Sequence, residues 1–174
     1  DGYQPDLLAN AVEAEAIHYL PLIPGMIMDF IEVLRERGVR PKGIGMIGAM
    51  ADLVPRRQLA EITELLDAPY LNTFGSTETG MPPATANYVA VGEAPTSLSK
   101  RQNDFCEVRL VDTADNDVQQ GDPGELAMRG PTLFSGYWRH EAANDESFRG
   151  GWFHMGDVFR RNPDGSLDFV DRVK

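Results

Sequence analysis

The sequence predicts an α/β fold in its first half, a parallel sheet with flanking helices, followed by an antiparallel, β-barrel-like subdomain. Three observations predict it. Helical periods alternate with short apolar runs up to about residue 90. Beyond that point the pattern changes to two-residue alternation punctuated by Gly, Pro, Asn and Asp. The 174 residues, 42% hydrophobic and 25% charged, fall in the globular range and suffice for one domain or two small ones. The switch lies between Thr85 and Pro95, and we divide the chain into residues 1–90 and 91–174.

The elements follow in order. Pro5-Asp6 opens a helix in which Leu7, Leu8, Ala11, Val12 and Ala16 have helical spacing. Ile17 to Ile23 reads as a buried strand. Pro24 starts a second helix, with Ile27, Phe30, Ile31 and Leu34 on one face and Gly38 as its stop. Gly43 to Ile47 is a second strand, and Pro55 begins a helix that turns Leu59, Ile62, Leu65 and Leu66 inward. Tyr70 to Phe74 is a third strand, ending in a polar loop. In open parallel sheets ligands bind beyond the carboxyl ends of strands, where the Gly48-Ala49-Met50 turn and the Gly75-Ser76-Thr77-Glu78 loop fall. In the second half, Glu107 to Asp112 and Glu125 to Arg129 read as strands. Gly121-Asp122-Pro123-Gly124 is a turn, and Ala142 to Phe148 a short helix. Asp157 to Arg161 and Ser166 to Val170 form a hairpin across Asn162-Pro163-Asp164-Gly165.

Composition excludes several classes. The net charge is −11, with 12 acids and 6 bases in residues 1–87 and 15 and 10 in residues 88–174. No basic stripe is present to engage nucleic acid, and no polybasic patch to engage anionic lipid. The one cysteine, Cys106, reads as a small core residue in a strand; it forms no internal disulfide and suits a reducing compartment, so we expect a cytoplasmic location. No apolar run approaches the roughly 20 residues of a membrane span. His18, His140 and His154 lack ligand spacing. The start, Asp1-Gly2-Tyr3-Gln4-Pro5, has neither Met nor a signal pattern and reads like a cut inside a longer protein.

Three segments carry candidate chemistry. In Asn72-Thr73-Phe74-Gly75-Ser76-Thr77-Glu78, Phe74 offers a face for a base, Gly75 allows close backbone approach, and Ser76 and Thr77 offer hydroxyls to phosphate. Glu78 suits Mg²⁺, which favours carboxylate and phosphate oxygens. The structural alternative is a β-to-α loop with Thr77 as a helix N-cap. In Gly151-Trp152-Phe153-His154-Met155-Gly156-Asp157 the aromatic pair reads as buried, and Asp157 could accept from two ribose hydroxyls or simply cap a turn. In Asp171-Arg172-Val173-Lys174, Arg172 could donate a fork to sugar or phosphate, or pair with Asp171 on a solvated edge. Gly124 to Gly130, and Pro131 to Trp138, read as β structure and a packed aromatic turn without a catalytic group.

In order and spacing, Phe74-Gly-Ser-Thr-Glu78, Gly124-Glu-Leu-Ala-Met-Arg-Gly130, Gly136-Tyr-Trp138, Gly151-Trp-Phe-His-Met-Gly-Asp157 and Asp171-Arg-Val-Lys174 together resemble the adenylate-forming, AMP-binding enzymes. These include acyl-CoA synthetases, adenylation domains of peptide synthetases and beetle luciferases. His18 to Pro24 also looks like that family's upstream strand-to-helix stretch. The resemblance implies that a carboxylic acid attacks the α-phosphate of ATP, giving acyl-adenylate and pyrophosphate, and that a thiol, commonly coenzyme A, then takes the acyl group. It puts Phe74 against adenine, Gly48-Ala49-Met50 over the other adenine face and Asn72 at the adenine amino group. It places Thr77 near the α-phosphate, with Gly75 and Ser76 also in the nucleotide-binding set, Thr77 and Glu78 catalytic and Glu78 on Mg²⁺. Asp157 and Arg172 fall on the ribose, and Lys174 on an interdomain hinge. Thr79, Gly80, Met81 and Pro82 would border the acyl pocket, with Tyr19 to Gly25 as another wall, which suits a hydrophobic or aromatic acid.

Two departures are visible: Phe74 where Tyr is more usual, and Met155 where Thr is frequent. The family's phosphate loop ending in Pro-Lys and its C-terminal domain with a catalytic Lys are not in this sequence. The expected reading is the later half of the large N-terminal domain of an AMP-forming acyl-CoA ligase, unable to catalyse adenylation alone. Its expected partners are a carboxylic acid, ATP, coenzyme A and the remaining parts of the same enzyme. The alternatives are an adenylation domain that loads a carrier protein and a noncatalytic nucleotide-binding module.

Overall fold

The computed structural model describes residues 2–173; at residues 49, 81, 82 and 84–87 the description is of the backbone alone. Two compact units form, Asp1–Thr73 with Ala86–Leu98, and Phe74–Thr85 with Ser99–Lys174.

The first unit alternates as expected: α1 (Pro5–Ala14), β1 (Ile17–Pro21), α2 (Pro24–Arg37), β2 (Ile44–Ala49), α3 (Arg56–Leu66) and the start of β3 (Tyr70–Ser76). β1 pairs parallel with β2, and β2 with β3. α2 has Pro at its first turn and ends at Gly38 (φ 61°), whose N–H returns to Arg35 and Leu34 carbonyls. Its predicted face, Ile27, Phe30, Ile31 and Leu34, is buried, and shares a core with Leu20, Ile44, Ile47, Leu59, Ile62 and Tyr70.

Two sequence expectations are corrected here. α1 buries Ala9 and Val12 with Leu8 beside them, whereas Leu7 is 60% exposed and Ala11 and Ala16 are also outward. Adjacent apolar pairs at 7–8 and 11–12 admit two helix faces, and packing on α2 selects one. β1 stops at Pro21, because Ile23 takes up the extended entry to α2 as its N-cap.

In the second unit, β3 runs on to Ser76, a turn follows at residues 77–79, and β4 (Gly80–Val89) returns. No helix starts at Thr77. Gly80 at φ 71° turns the chain, and Pro82 and Pro83 would each remove an N–H from a helix continuing from there. β4 pairs antiparallel with β5 (Arg101–Gln102).

The remaining elements are β6 (Glu107–Val111), β7 (Pro123–Arg129), α4 (Glu141–Ser147), β8 (Phe148–Arg149), β9 (Trp152–Arg161) and β10 (Leu167–Arg172). They form an antiparallel, half-barrel sheet in the order β10-β9-β7-β6, with β8 also on β9. β7 begins at Pro123, inside the expected turn, and β9 begins five residues before Asp157, so Asp157 lies within a strand rather than at its start. Cys106 is buried just before β6, where burial pushes its thiol pKa up and away from nucleophilic use.

Candidate functional site

The Phe74–Gly80 segment is a tight turn built on hydroxyls. Thr79 is fully buried; its Oγ1 accepts the Ser76 N–H at 2.9 Å and donates to the Gly80 carbonyl at 3.1 Å. Ser76 Oγ accepts the Glu78 N–H at 3.2 Å. Thr79 is thus an internal brace of the turn. Gly75 and Thr77 are exposed, while Ser76 and Glu78 are half-buried. The Phe74 ring is 3% exposed and meets Phe159 edge-on, with centroids 4.6 Å apart.

Glu78 is held at two points by one segment. Its carbonyl accepts the Phe134 N–H at 2.9 Å, and its Oε1 accepts the Tyr137 hydroxyl at 3.0 Å. Hydrogen bonding from Ser76, and secondarily from its own backbone and Tyr137, lowers the Glu78 pKa against the opposing effect of burial. The group is therefore a carboxylate at neutral pH. Among the described residues no cluster of three or more His, Cys, Asp or Glu could hold a metal. A lone ionised carboxylate beside hydroxyls fits Mg²⁺, which keeps waters and takes phosphate oxygens as its other ligands.

Asp157 and Arg172 face each other across β9 and β10, and Arg172 Nε donates to Asp157 Oδ1 at 2.9 Å. A register shift makes this pairing. Phe169 opposes Phe159, and an unbroken ladder would then set Asp171 against Asp157. The irregularity between Phe169 and Asp171 moves Asp171 opposite Val158 and Arg172 opposite Asp157. A like-charge pair becomes an ion pair. Asp157 is 4% exposed and shares the buried side of β9 with Phe159, the neighbour of Phe74. Arg172 is largely exposed.

A second irregularity lies between β7 and β9. Glu125 opposes Val158 and Ala127 opposes His154, so two steps along β7 span four along β9. Gly156, at φ 75°, sits in the excess. Its N–H donates to Glu125 Oε1 at 3.1 Å, and its carbonyl accepts the Val173 N–H at 2.9 Å. Glu125 Oε2 lies 3.1 Å from His154 Nδ1 and 3.2 Å from Arg149 Nη2, and Arg149 also pairs with Asp115. The strand leading into Asp157 is thereby pinned by a charged cluster.

In the first unit, Gly48 is buried and Met50 half-buried. Ala49 opposes Asn72 in the β2–β3 ladder. Asn72 is fully buried; its Oδ1 accepts the Ala51 N–H at 2.9 Å and its Nδ2 donates to the Leu98 carbonyl at 3.1 Å. It braces the turn that follows β2. Lys174 and the side chains of Ala49, Met81 and Pro82 lie outside what the structure describes.

The second unit therefore brings together Phe74 and Asp157 through Phe159, and pairs Asp157 with Arg172. It ties Glu78 to a stretch, Pro131 to Trp138, that shows no catalytic signal in sequence. That stretch is not uniformly packed: Trp138 is 85% exposed, while Tyr137 points to Glu78. The Gly136-Tyr137 dipeptide names the segment without revealing its contact. Glu125 and His154 likewise carry no ligand spacing, because they lie 29 residues apart along the chain, and Gly156 lies 31 from Glu125.

A profile of the AMP-binding enzyme family matches residues 1–138, and the chain belongs to that family. It is 28% identical over 172 residues to an indoleacetate–CoA ligase of Aromatoleum aromaticum, covering 99% of this chain and 33% of that protein. It is 27% identical over 175 residues to a medium/long-chain-fatty-acid–CoA ligase of Mycobacterium tuberculosis, covering 99% of this chain and 30% of that one. Among solved structures, a long-chain-fatty-acid CoA ligase from Rhodopseudomonas palustris superposes with a TM-score of 0.72 at 25% identity, over 98% of this chain and 41% of its own. The chain thus spans about a third of the length of the curated relatives that it matches end to end. No helix among the described residues is long and apolar enough to cross a membrane.

Proposed function

We propose that this chain is the nucleotide-binding segment of an AMP-forming acyl-CoA ligase. The carrying observation is the arrangement within the second unit: a buried Asp157 paired with Arg172, on the strand whose Phe159 meets Phe74. In this reading Asp157 accepts from the ribose hydroxyls, and Arg172 swings its exposed guanidinium onto the same sugar. Phe74 stacks on adenine once its face is uncovered. The family's motifs assign Gly48, Ala49, Met50 and Asn72 of the first unit to adenine as well. Gly75, Ser76 and Thr77 face the α-phosphate. Glu78 would hold Mg²⁺, which supplies charge neutralisation along the phosphate chain. The family's motifs assign Lys174 to an interdomain hinge.

The reaction balances as two displacements. A carboxylate oxygen bonds to the α-phosphorus and pyrophosphate leaves. The coenzyme A sulfur then bonds to the acyl carbon and AMP leaves. Positioning and charge stabilisation carry the first step. The relatives named for indoleacetate and fatty acids support an apolar acid as substrate. They favour coenzyme A over a carrier-protein thiol, and a working enzyme over a noncatalytic module. A panel of aromatic and aliphatic acids, offered to the intact enzyme and read by thioester formation, tests this; thioester from none of them overturns it.

Two substitutions probe the roles. Glu78→Gln should slow Mg²⁺-dependent adenylation on the order of 10-fold or more, with a smaller effect on carboxylate binding, because it removes the charge facing the cation. Unchanged pyrophosphate release across a Mg²⁺ titration would count against the metal role. Asp157→Ala should raise the KM for ATP about tenfold, the scale of one lost charged hydrogen-bond acceptor. Arg172 is exposed enough to rehydrate, so the fold should persist. A KM for ATP indifferent to the change would remove the ribose assignment.

A further inference from the structure

The geometry points to Tyr137, clamped by Asn144, as a positioning residue that aims the Glu78 carboxylate at its cation; this rests on the metal reading of Glu78 proposed above. Four hydrogen bonds carry it. The Tyr137 hydroxyl donates to Glu78 Oε1 at 3.0 Å. The neighbouring Phe134 N–H donates to the Glu78 carbonyl at 2.9 Å, so one short segment fixes both the main chain and the side chain of the same residue. Asn144, on α4, commits both ends of its amide to Tyr137: Oδ1 accepts the Tyr137 N–H at 2.7 Å and Nδ2 donates to the Tyr137 carbonyl at 3.0 Å.

The hydroxyl is not needed to pack the ring. Tyr137 meets Phe134 edge-on at 4.8 Å, and Phe134 in turn contacts Phe148 and Phe153, so a Phe at position 137 would keep the aromatic cluster. What the hydroxyl adds is a neutral donor on one carboxylate oxygen. A carboxylate held at Oε1 by the Tyr137 phenol, beside the Ser76 hydroxyl, is fixed in direction, as a ligand to a small octahedral cation requires. The backbone clamp explains why the contact depends on a loop. Gly136 stands at φ 127° against Asn144, so the amide sets the loop's conformation and thereby the reach of the phenol.

The test is a Mg²⁺ titration of adenylation by the intact enzyme, with Mn²⁺ binding in the presence of ATP followed by electron paramagnetic resonance. Tyr137→Phe should raise the half-saturating Mg²⁺ concentration about tenfold, and weaken Mn²⁺ retention by a similar factor, the usual scale for loss of an outer partner of a ligand. The KM for the acid should stay within about twofold, since no acid contact is removed. Asn144→Ala, which keeps the hydroxyl and frees its loop, should shift both readouts in the same direction, and it decides the matter if Tyr137→Phe does not fold. Glu78→Gln is the reference arm. If Glu78→Gln shifts Mg²⁺ dependence and Tyr137→Phe does not, the positioning role is overturned while the metal reading stands. If neither shifts, both are overturned.

Discussion

Gly48→Ala should cost the first unit about 3 kcal/mol or more and lower its melting temperature by roughly 6–12 °C, at the usual 2–4 °C per kcal/mol for chains of this size. Gly48 opposes Leu71 in the parallel β2–β3 ladder. A Cβ built there falls 2.2 Å from the Leu71 carbonyl oxygen and 3.0 Å from its nitrogen. Those are backbone atoms of the next strand, so no rotamer change relieves the clash and the strands must separate. The Gly48 carbonyl also accepts from the Tyr19 hydroxyl at 3.0 Å and from the Leu22 N–H at 3.3 Å, so displacing it disturbs β1 as well. The matched control is Gly25→Ala. Gly25 lies in the first turn of α2 with nothing within 4 Å of its would-be Cβ. There alanine should stabilise by about 0.5–1 kcal/mol through helix propensity and a less flexible unfolded chain. Thermal denaturation followed by circular dichroism checks both; equal melting of the two variants would refute the close-approach argument.

Glu125→Ala should destabilise the second unit by about 2–3 kcal/mol. It removes the acceptor for the Gly156 N–H and the carboxylate facing His154 and Arg149. The side chains of Glu125 and His154 are 19% and 4% exposed, so water cannot fully replace what is lost. Arg149 keeps Asp115 and is about one-third exposed, which holds the figure below that for a wholly buried pair. Glu125→Gln should cost less, because an amide oxygen can still receive the Gly156 N–H. Glu107→Ala provides the comparison: it removes a cross-strand pair with Arg129 whose side chains are both more than half exposed, and melting should barely move. If Glu125→Ala melts like Glu107→Ala, the cluster does not hold the strand. On the proposed ribose role of Asp157, Glu125→Ala should also raise the KM for ATP of the intact enzyme, because Asp157 follows the residue that Glu125 pins.

Much of this fold is legible in the sequence. Helices α2 and α3 declare themselves through apolar spacing and through the prolines and glycine at their ends, because helix geometry repeats every few residues. The β9–β10 hairpin is marked by Asn162-Pro163-Asp164-Gly165, whose side chains and positive-φ glycine make the turn locally. Strand β4 was not legible, because Met81 to Val89 mixes prolines, small residues and polar residues without alternation. The phase of α1 was open until α2 packed against it.

The candidate site divides in the same way. By itself the sequence pointed to the family and put forward Phe74, Glu78, Asp157 and Arg172 as a candidate set, because residue types in ordered motifs need no coordinates. The tertiary structure decided their partners. It set Arg172 rather than Asp171 opposite Asp157 through one register shift, gave Gly156 to Glu125 through another, and brought Tyr137 to Glu78 across 59 residues of chain. Ladder register and loop closure depend on contacts between distant segments, and local spacing carries no record of them.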